Sequence, residues 1–269
     1  MSRVKLDGAL VLVTGAGSGI GAATARRFAR AGSRLLAVDI DGDAAATVAG
    51  ECAAIGPASH ALVCDVADAG AVDALAGMVA DEHGNVDVLV NNAGVGIAGP
   101  FLDSSLEDWR WLRSINLDGV AHGCFAFGSR MVDRGHGHVV NVASGAAYIP
   151  NRNMAAYCAT KSAVVMLSQC LRADWRGSGV GVSVVCPGVI ATPIASRTRF
   201  RGSMAAKQAR AERALGRGHS PELVAKAIVD CVECNRDVVP VGIESTIAYK
   251  LLRGAPQPIQ NLIARTELP

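Results

Sequence analysis

A chain of 269 residues with a formal charge of +2 lacks the basic excess of a nucleic-acid-binding domain, and no aromatic residues alternate with basic ones as base stacking requires. Half of the residues are apolar but only 4% are aromatic, so the core is expected to consist of Val, Leu, Ile and Ala, as in buried parallel strands covered by helices. No apolar run reaches the ~18 residues that span a bilayer, no charged leader with a cleavage site is found, and the eight cysteines stand singly in apolar stretches. The expectation is a cytoplasmic protein with reduced thiols and no membrane or nucleic-acid partner.

Short apolar runs bounded by Gly, Asp or Asn mark strand candidates at residues 9–13, 34–38, 61–64, 86–90, 138–142, 182–186 and 237–241. Helical spacing falls between them at 20–30, closed by Gly32, at 72–79, closed by Gly84, at 106–131, and at 155–175, closed by Gly177. Alternation of this kind requires right-handed crossovers, so the predicted fold is α/β, a doubly wound parallel sheet of about seven strands with helices on both faces. Without a composition break, linker or repeat, one domain over residues 1–269 is expected. The polar, basic stretch 194–218 reads as an insertion, with a substrate lid near 190–218.

The first strand candidate runs into Thr14-Gly15-Ala16-Gly17-Ser18-Gly19-Ile20-Gly21 and then an Ala-rich helix. Glycines there let the backbone turn tightly and approach a pyrophosphate, which the amides and positive end of the helix attract. No Lys-Ser or Lys-Thr follows, so a Walker-type loop is excluded. Asp39 ends the second strand candidate, where a carboxylate can accept hydrogen bonds from the adenosine ribose. A 2′-phosphate about 4 Å away would be repelled by roughly 4 kcal/mol at an effective dielectric near 20, about a thousandfold in affinity. Its neighbours, Ile40 and Asp41, offer no compensating cation, and NAD is expected over NADP.

Tyr157 and Lys161 stand four apart in a helical segment and share a face. An ammonium about 4 Å from a phenol can supply roughly the 4 kcal/mol that draws a tyrosine from ~10 toward neutrality. A tyrosine so tuned can exchange a proton with an oxygen while a hydride moves at the attached carbon. Ser144, at the carboxyl edge of the fifth strand candidate, is placed to hold that oxygen.

Together, Thr14 to Gly21, Asn91-Asn92-Ala93-Gly94, Asn116, Ser144, Tyr157-Cys158-Ala159-Thr160-Lys161 and Pro187-Gly188 closely resemble the short-chain dehydrogenases/reductases, over roughly residues 7–242. The resemblance implies a Rossmann fold and a catalytic Ser144, Tyr157 and Lys161, extended by Asn116 through a water chain. It places Gly15, Ser18, Gly19, Ile20 and Gly21 at the cofactor phosphates, Asp65 and Val66 at the adenine, and Asn92, Ala93 and Gly94 along the cofactor. Pro187, Gly188, Ile190 and Thr192 would hold the nicotinamide, with Tyr157 and Lys161 beside its ribose. It also implies a homotetramer or dimer that pairs the long helices near Asn116 and Tyr157.

The substrate pocket is expected from three loops, 95–101, 145–153 and 194–218. Val95, Ile97, Phe101, Tyr148 and Ile149 suggest an apolar chamber for a hydrophobic ketone or secondary alcohol. The third loop carries Arg197, Arg199, Arg201, Lys207, Arg210, Arg213 and Arg217 against Glu212. It is read as a solvated helix face, the alternative being an anionic acyl thioester substrate on a carrier. All six histidines are expected to be structural and no metal is expected, Cys231 and Cys234 being a zinc half-site without a second half. Trp109 and Trp111, two apart on a helix, are expected to face apart, at most one in the core. A non-catalytic dinucleotide-binding redox sensor and a nucleotide-sugar epimerase are the competing readings, the first disfavoured by the Tyr-Lys pair and the second by the form of the glycine turn.

Overall fold

The computed structural model describes residues 4–252 and 254–264. In chain order the elements are β1 (Leu10–Thr14), α1 (Gly19–Arg30), β2 (Arg34–Asp39), α2 (Gly42–Ala53), β3 (Ser59–Val63), α3 (Ala69–Glu82), β4 (Val88–Asn91), β5 (Gly96–Ala98) and α4 (Leu106–Arg113). Next come α5 (Gly119–Gly123), α6 (Ser129–Arg134), β6 (Gly137–Val142), α7 (Ala155–Asp174), β7 (Val180–Pro187), β8 (Thr198–Phe200) and α8 (Gln208–Leu215). The chain closes with α9 (Pro221–Cys234), β9 (Val238–Val241), α10 (Ile243–Ile247) and α11 (Gln257–Ala264).

Seven strands form one parallel sheet in the order β3-β2-β1-β4-β6-β7-β9. All seven expected strands are present, with ends shifted by a residue or two. Strand side chains alternate between faces, and the two faces bury separate cores. Val11, Val13, Leu35 and Ala37 pack with residues of α1, α2 and α9. Leu10, Leu12, Leu36 and Val38 pack with residues of α3, α5 and α7. The order reverses at β1, whose neighbours are β2 and β4. The carboxyl ends of β1 and β4 therefore diverge into the crevice where open α/β sheets take ligands.

A buried polar chain fixes α7 against this sheet. Asn91 Nδ2 of β4 donates to Asn141 Oδ1 of β6 at 2.9 Å, and Asn141 Nδ2 donates to Ser168 Oγ of α7 at 2.9 Å. Satisfied in this way, the amides set the height of α7, and with it Tyr157, over β6.

Three features depart from expectation. Residues 42–53 form a helix, α2, capped by Asp41, whose carboxylate accepts the Ala44 N–H at 3.0 Å. The helix expected over 106–131 is interrupted by π-helical turns at Ser114–Asp118 and Cys124–Gly128. The expected insertion contains a strand, β8, paired in parallel with β5 through Gly96 to Thr198 and Ala98 to Phe200. Cys231 is buried while Cys234 is exposed, so the two thiols face different environments.

Trp109 and Trp111 are both half-buried beside a small third core around Leu112 and Tyr157. Neither is a bare surface side chain. Trp109 meets the Phe101 ring edge-on at 6.5 Å, and Trp111 lies 3.9 Å beneath the guanidinium of Arg199.

Candidate active site

β1 passes into the glycine turn through left-handed backbone at Gly15 (φ +63°) and Gly19 (φ +53°), which glycine adopts without strain. The turn is stitched to β4. Thr14 Oγ1 accepts the N–H groups of Asn92 and Ala93 at 3.0 and 3.1 Å, while Asn92 Nδ2 donates to the carbonyls of Thr14 and Gly15 at 2.9 and 3.2 Å. Ser18, at the cap of α1, makes no capping bond to the helix, leaving the first-turn amides to an anionic group. Asp39, buried, accepts the Gly17 N–H at 2.8 Å and the Asp41 N–H at 3.2 Å. The carboxylate thus fixes the glycine turn as well as facing the crevice.

A cavity of about 1000 Å³ opens along this edge of the sheet. One end is lined by Asp39, Asp65 and Val66, the middle by Gly15, Ser18, Gly19, Ile20, Asn92, Ala93 and Gly94. The far end holds Ser144, Tyr157, Lys161, Pro187, Gly188, Ile190 and Thr192. A dinucleotide fits this extended wall. Cβ atoms at Gly15 or Gly17 would stand 2.9 Å from Ala93 Cα and from Asp39 Oδ2 respectively, so the turn must be bare backbone.

Two expected site residues lie behind the wall. Gly21 is buried, and a Cβ there would stand 2.1 Å from the Gly15 carbonyl, so bare backbone at this position lets α1 close on the turn. Asn116 is fully buried in the first π-helical turn. Its Oδ1 accepts the Val95 N–H and its Nδ2 donates to the Val95 carbonyl, both at 2.9 Å. The side chain therefore positions the segment after β4, close to the Gly94 and Lys161 that face the cavity.

Tyr157 and Lys161 project from the first turns of α7. Lys161 Nζ donates to the Val142 carbonyl at 3.0 Å and lies 5.9 Å from the Tyr157 ring centre. Burial lowers the ammonium to about 8. Burial also raises the Tyr157 phenol, against the opposing effect of a hydrogen bond with Ser144. Desolvation of the phenolate outweighs that hydrogen bond, so the phenol stands above its ordinary value rather than below it.

Val95, Ile149 and Met154 line the cavity together with Ile194, Phe200 and Leu215 of the segment 194–218. Three expected pocket residues point elsewhere. Ile97 is buried in the third core, Phe101 is exposed, and Tyr148 packs on Tyr249 with ring centres 5.2 Å apart.

The basic segment around β8 is anchored through Asp108 of α4, which is buried. Arg201 Nε and Nη2 donate to its two oxygens at 2.7 Å each, and Arg199 Nη1 donates at 3.0 Å. Asp108 also accepts the Ser105 N–H at 3.2 Å, completing a capping box with the Ser105 hydroxyl. These guanidinium bonds hold its carboxyl well below the usual carboxylate range.

Glu244 and His219, far from any motif, also line the cavity. Glu244 Oε1 accepts the Val189 N–H at 2.6 Å and Oε2 faces His219 Nε2 at 3.1 Å. The His219 N–H donates to the Val189 carbonyl at 2.9 Å, and its carbonyl accepts the Ala191 N–H at 2.9 Å. Together they clamp the segment after β7. His219 thus makes structural contacts while also lining the cavity. His138 and His122 make structural contacts, to Ser183 Oγ at 2.8 Å and to the Val66 carbonyl at 2.9 Å.

The family model described as "short chain dehydrogenase" matches residues 9–201. The chain belongs to the short-chain dehydrogenase/reductase family. It is 43% identical over 260 residues to "Probable oxidoreductase EphD" of Mycobacterium tuberculosis, a match that covers 94% of this chain and 44% of that protein. The chain therefore spans less than half the length of that relative. It is 44% identical over 190 residues to a D-threitol dehydrogenase of Mycolicibacterium smegmatis, covering 71% of this chain and 73% of that one. A short-chain dehydrogenase/reductase structure from Burkholderia phymatum, in complex with NAD, superimposes with a TM-score of 0.88 at 31% identity and covers 99% of both chains.

Proposed function

We propose that the chain is a nicotinamide-dependent oxidoreductase that interconverts a secondary alcohol and a ketone, with Tyr157 as general acid and base and NAD preferred over NADP. The observation that carries this reading is one continuous cavity wall joining the glycine turn to Ser144, Tyr157 and Lys161. Dehydrogenase names among the relatives support the reaction class, and the carboxylate of Asp39 supports the choice of cofactor. A bound nicotinamide supplies or accepts the hydride.

The remaining work falls to the chain. Main-chain amides at Ser18 to Ile20 bind the phosphates, and Asp39, Asp65 and Val66 receive the adenosine. Asn92 to Gly94 and the segment Pro187 to Thr192 enclose the nicotinamide half. Ser144 holds the substrate oxygen against Tyr157, whose hydroxyl gives the proton during reduction and takes it during oxidation. Lys161 sets the charge around that hydroxyl, and Asn116 keeps Gly94 and Val95 beside it. In this reading the chain works as one domain with a lid, in the cytoplasm, as a homotetramer or dimer.

The test is a spectrophotometric screen of secondary alcohols and ketones with NAD(H) and NADP(H), following nicotinamide absorbance. Substrate-dependent change with NAD(H) ahead of NADP(H) is expected. Equal turnover with both cofactors overturns the preference, and cofactor binding without turnover of any substrate class favours the redox sensor.

A further inference from the structure

Two sets of arginines in the basic segment differ in what they face. Arg199 and Arg201 are committed to Asp108. Arg197, Arg210 and Arg217 instead line the cavity, where Arg152 joins them from the segment before α7. All four are exposed at its mouth, and none pairs with an acid among the described residues. The nearby acids keep their charge but direct their oxygens elsewhere, Glu244 to the Val189 amide and His219 and Glu212 to Gln208 at 3.0 Å, and the four guanidinium groups outnumber them. The other cavity acids, Asp39 and Asp65, belong to the β2 and β3 end. Behind these cations, Met204, Ala211, Ala214 and Leu215 form an apolar, half-buried face over the chamber.

Given the oxidoreductase reading above, on which it rests, we infer that the substrate has an apolar body and an anionic group remote from the reacting carbon, which Arg197, Arg210 and Arg217 receive at the rim. The apolar lid face covers the body and leaves the carbonyl at Tyr157. Clustered like charges at a low-dielectric mouth attract an oppositely charged ligand more than any one exposed pair would, with rate gains of roughly tenfold or more. The attraction weakens with salt.

The test compares 7-oxooctanoate with its methyl ester, and acetoacetyl coenzyme A with the neutral N-acetylcysteamine thioester of acetoacetate. For each pair, kcat/KM and binding to the NADH-loaded protein are measured in the wild type, in Arg210→Gln/Arg217→Gln and in Arg213→Gln, whose side chain does not line the cavity. Preference for the anionic member of a pair by about tenfold, falling to near unity in the double variant and in high salt but kept in Arg213→Gln, supports the inference. The pair that shows it identifies a carboxylate or a carrier phosphate as the anion. Equal or better use of the neutral members overturns it. So does a double variant that weakens NADH binding while keeping the preference, because the cations would then hold the cofactor phosphates. If no ketone is turned over, tighter binding of the anionic members still supports the rim and counts only against the oxidoreductase reading, whereas equal binding overturns the rim.

Discussion

Burial acts on Tyr157 and Lys161 with opposite sign, holding the phenol above its ordinary range and bringing the ammonium down to about 8. At neutral pH the phenol therefore keeps its proton, the form that can protonate a ketone oxygen. Reduction should hold level through neutral pH and decline on the alkaline side, where oxidation, which needs the phenolate, should rise; parallel profiles in both directions would contradict this assignment. Ser144→Ala removes the hydroxyl that opposes the rise and that, in the proposed reaction, holds the substrate oxygen. It should lower kcat about a hundredfold, with NADH affinity within a few fold of wild type. Asp39→Ser keeps an acceptor for the Gly17 amide but removes the charge, so the ratio of NADP to NAD use should rise by about a hundredfold or more; an unchanged ratio would remove Asp39 from cofactor selection. Residues such as Thr14, Asp39, Ser144, Tyr157 and Lys161 were legible in the sequence because their chemistry fixes both type and spacing. Glu244 and His219 were not. Neither lies in a motif: Glu244 reaches the cavity where α10 meets the segment after β7, and His219 through its backbone pairing with Val189 and Ala191.

At the level of elements, one buried carboxylate joins two distant pieces of chain: Asp108 closes the capping box of α4 and receives both arginines that flank or belong to β8. Its lowered folded-state value means the latch is fully formed above the unfolded carboxyl value of about 3.9 and is lost as pH falls toward the folded one. Asp108→Asn should cost about 1 to 3 kcal/mol, the range for hydrogen bonds to charged groups, discounted because both arginines are partly exposed. It should also expose the Arg-rich segment 197–217 to trypsin before the rest of the chain; unchanged proteolysis would show that the latch does not restrain the lid. The long strands and helices could be read from periodicity. β5 and β8 have three residues each, too few to show a period, and the Asp108 anchor spans ninety-odd positions that no local pattern links. The Ala-rich α2 escaped for a related reason, since alanine gives little contrast between faces.

Across the whole molecule, the alternation of apolar runs and helical segments led directly to a seven-stranded parallel sheet, because parallel strands require crossovers and crossovers fix handedness. The paired alternation that builds two cores also places a histidine inside the sheet. His138, buried between β4 and β7, is driven down to about 3, first by burial and then by Arg172. A histidine lowered in the folded state contributes stability that is complete above its unfolded value of about 6.5 and falls as acid protonates the unfolded chain. Acidification from pH 7 to 5 should therefore cost about 2 kcal/mol through this residue, and His138→Gln should flatten that part of the Tm profile. An equal loss in both proteins would place the acid sensitivity elsewhere. The central claim is that one wall carries both the dinucleotide and the proton donor, and the most direct measurement is NADH binding and ketone-dependent NADH oxidation in Tyr157→Phe beside the wild type. Loss of oxidation by about a hundredfold or more with NADH affinity within a few fold is the predicted result; oxidation at the wild-type rate in Tyr157→Phe would contradict it.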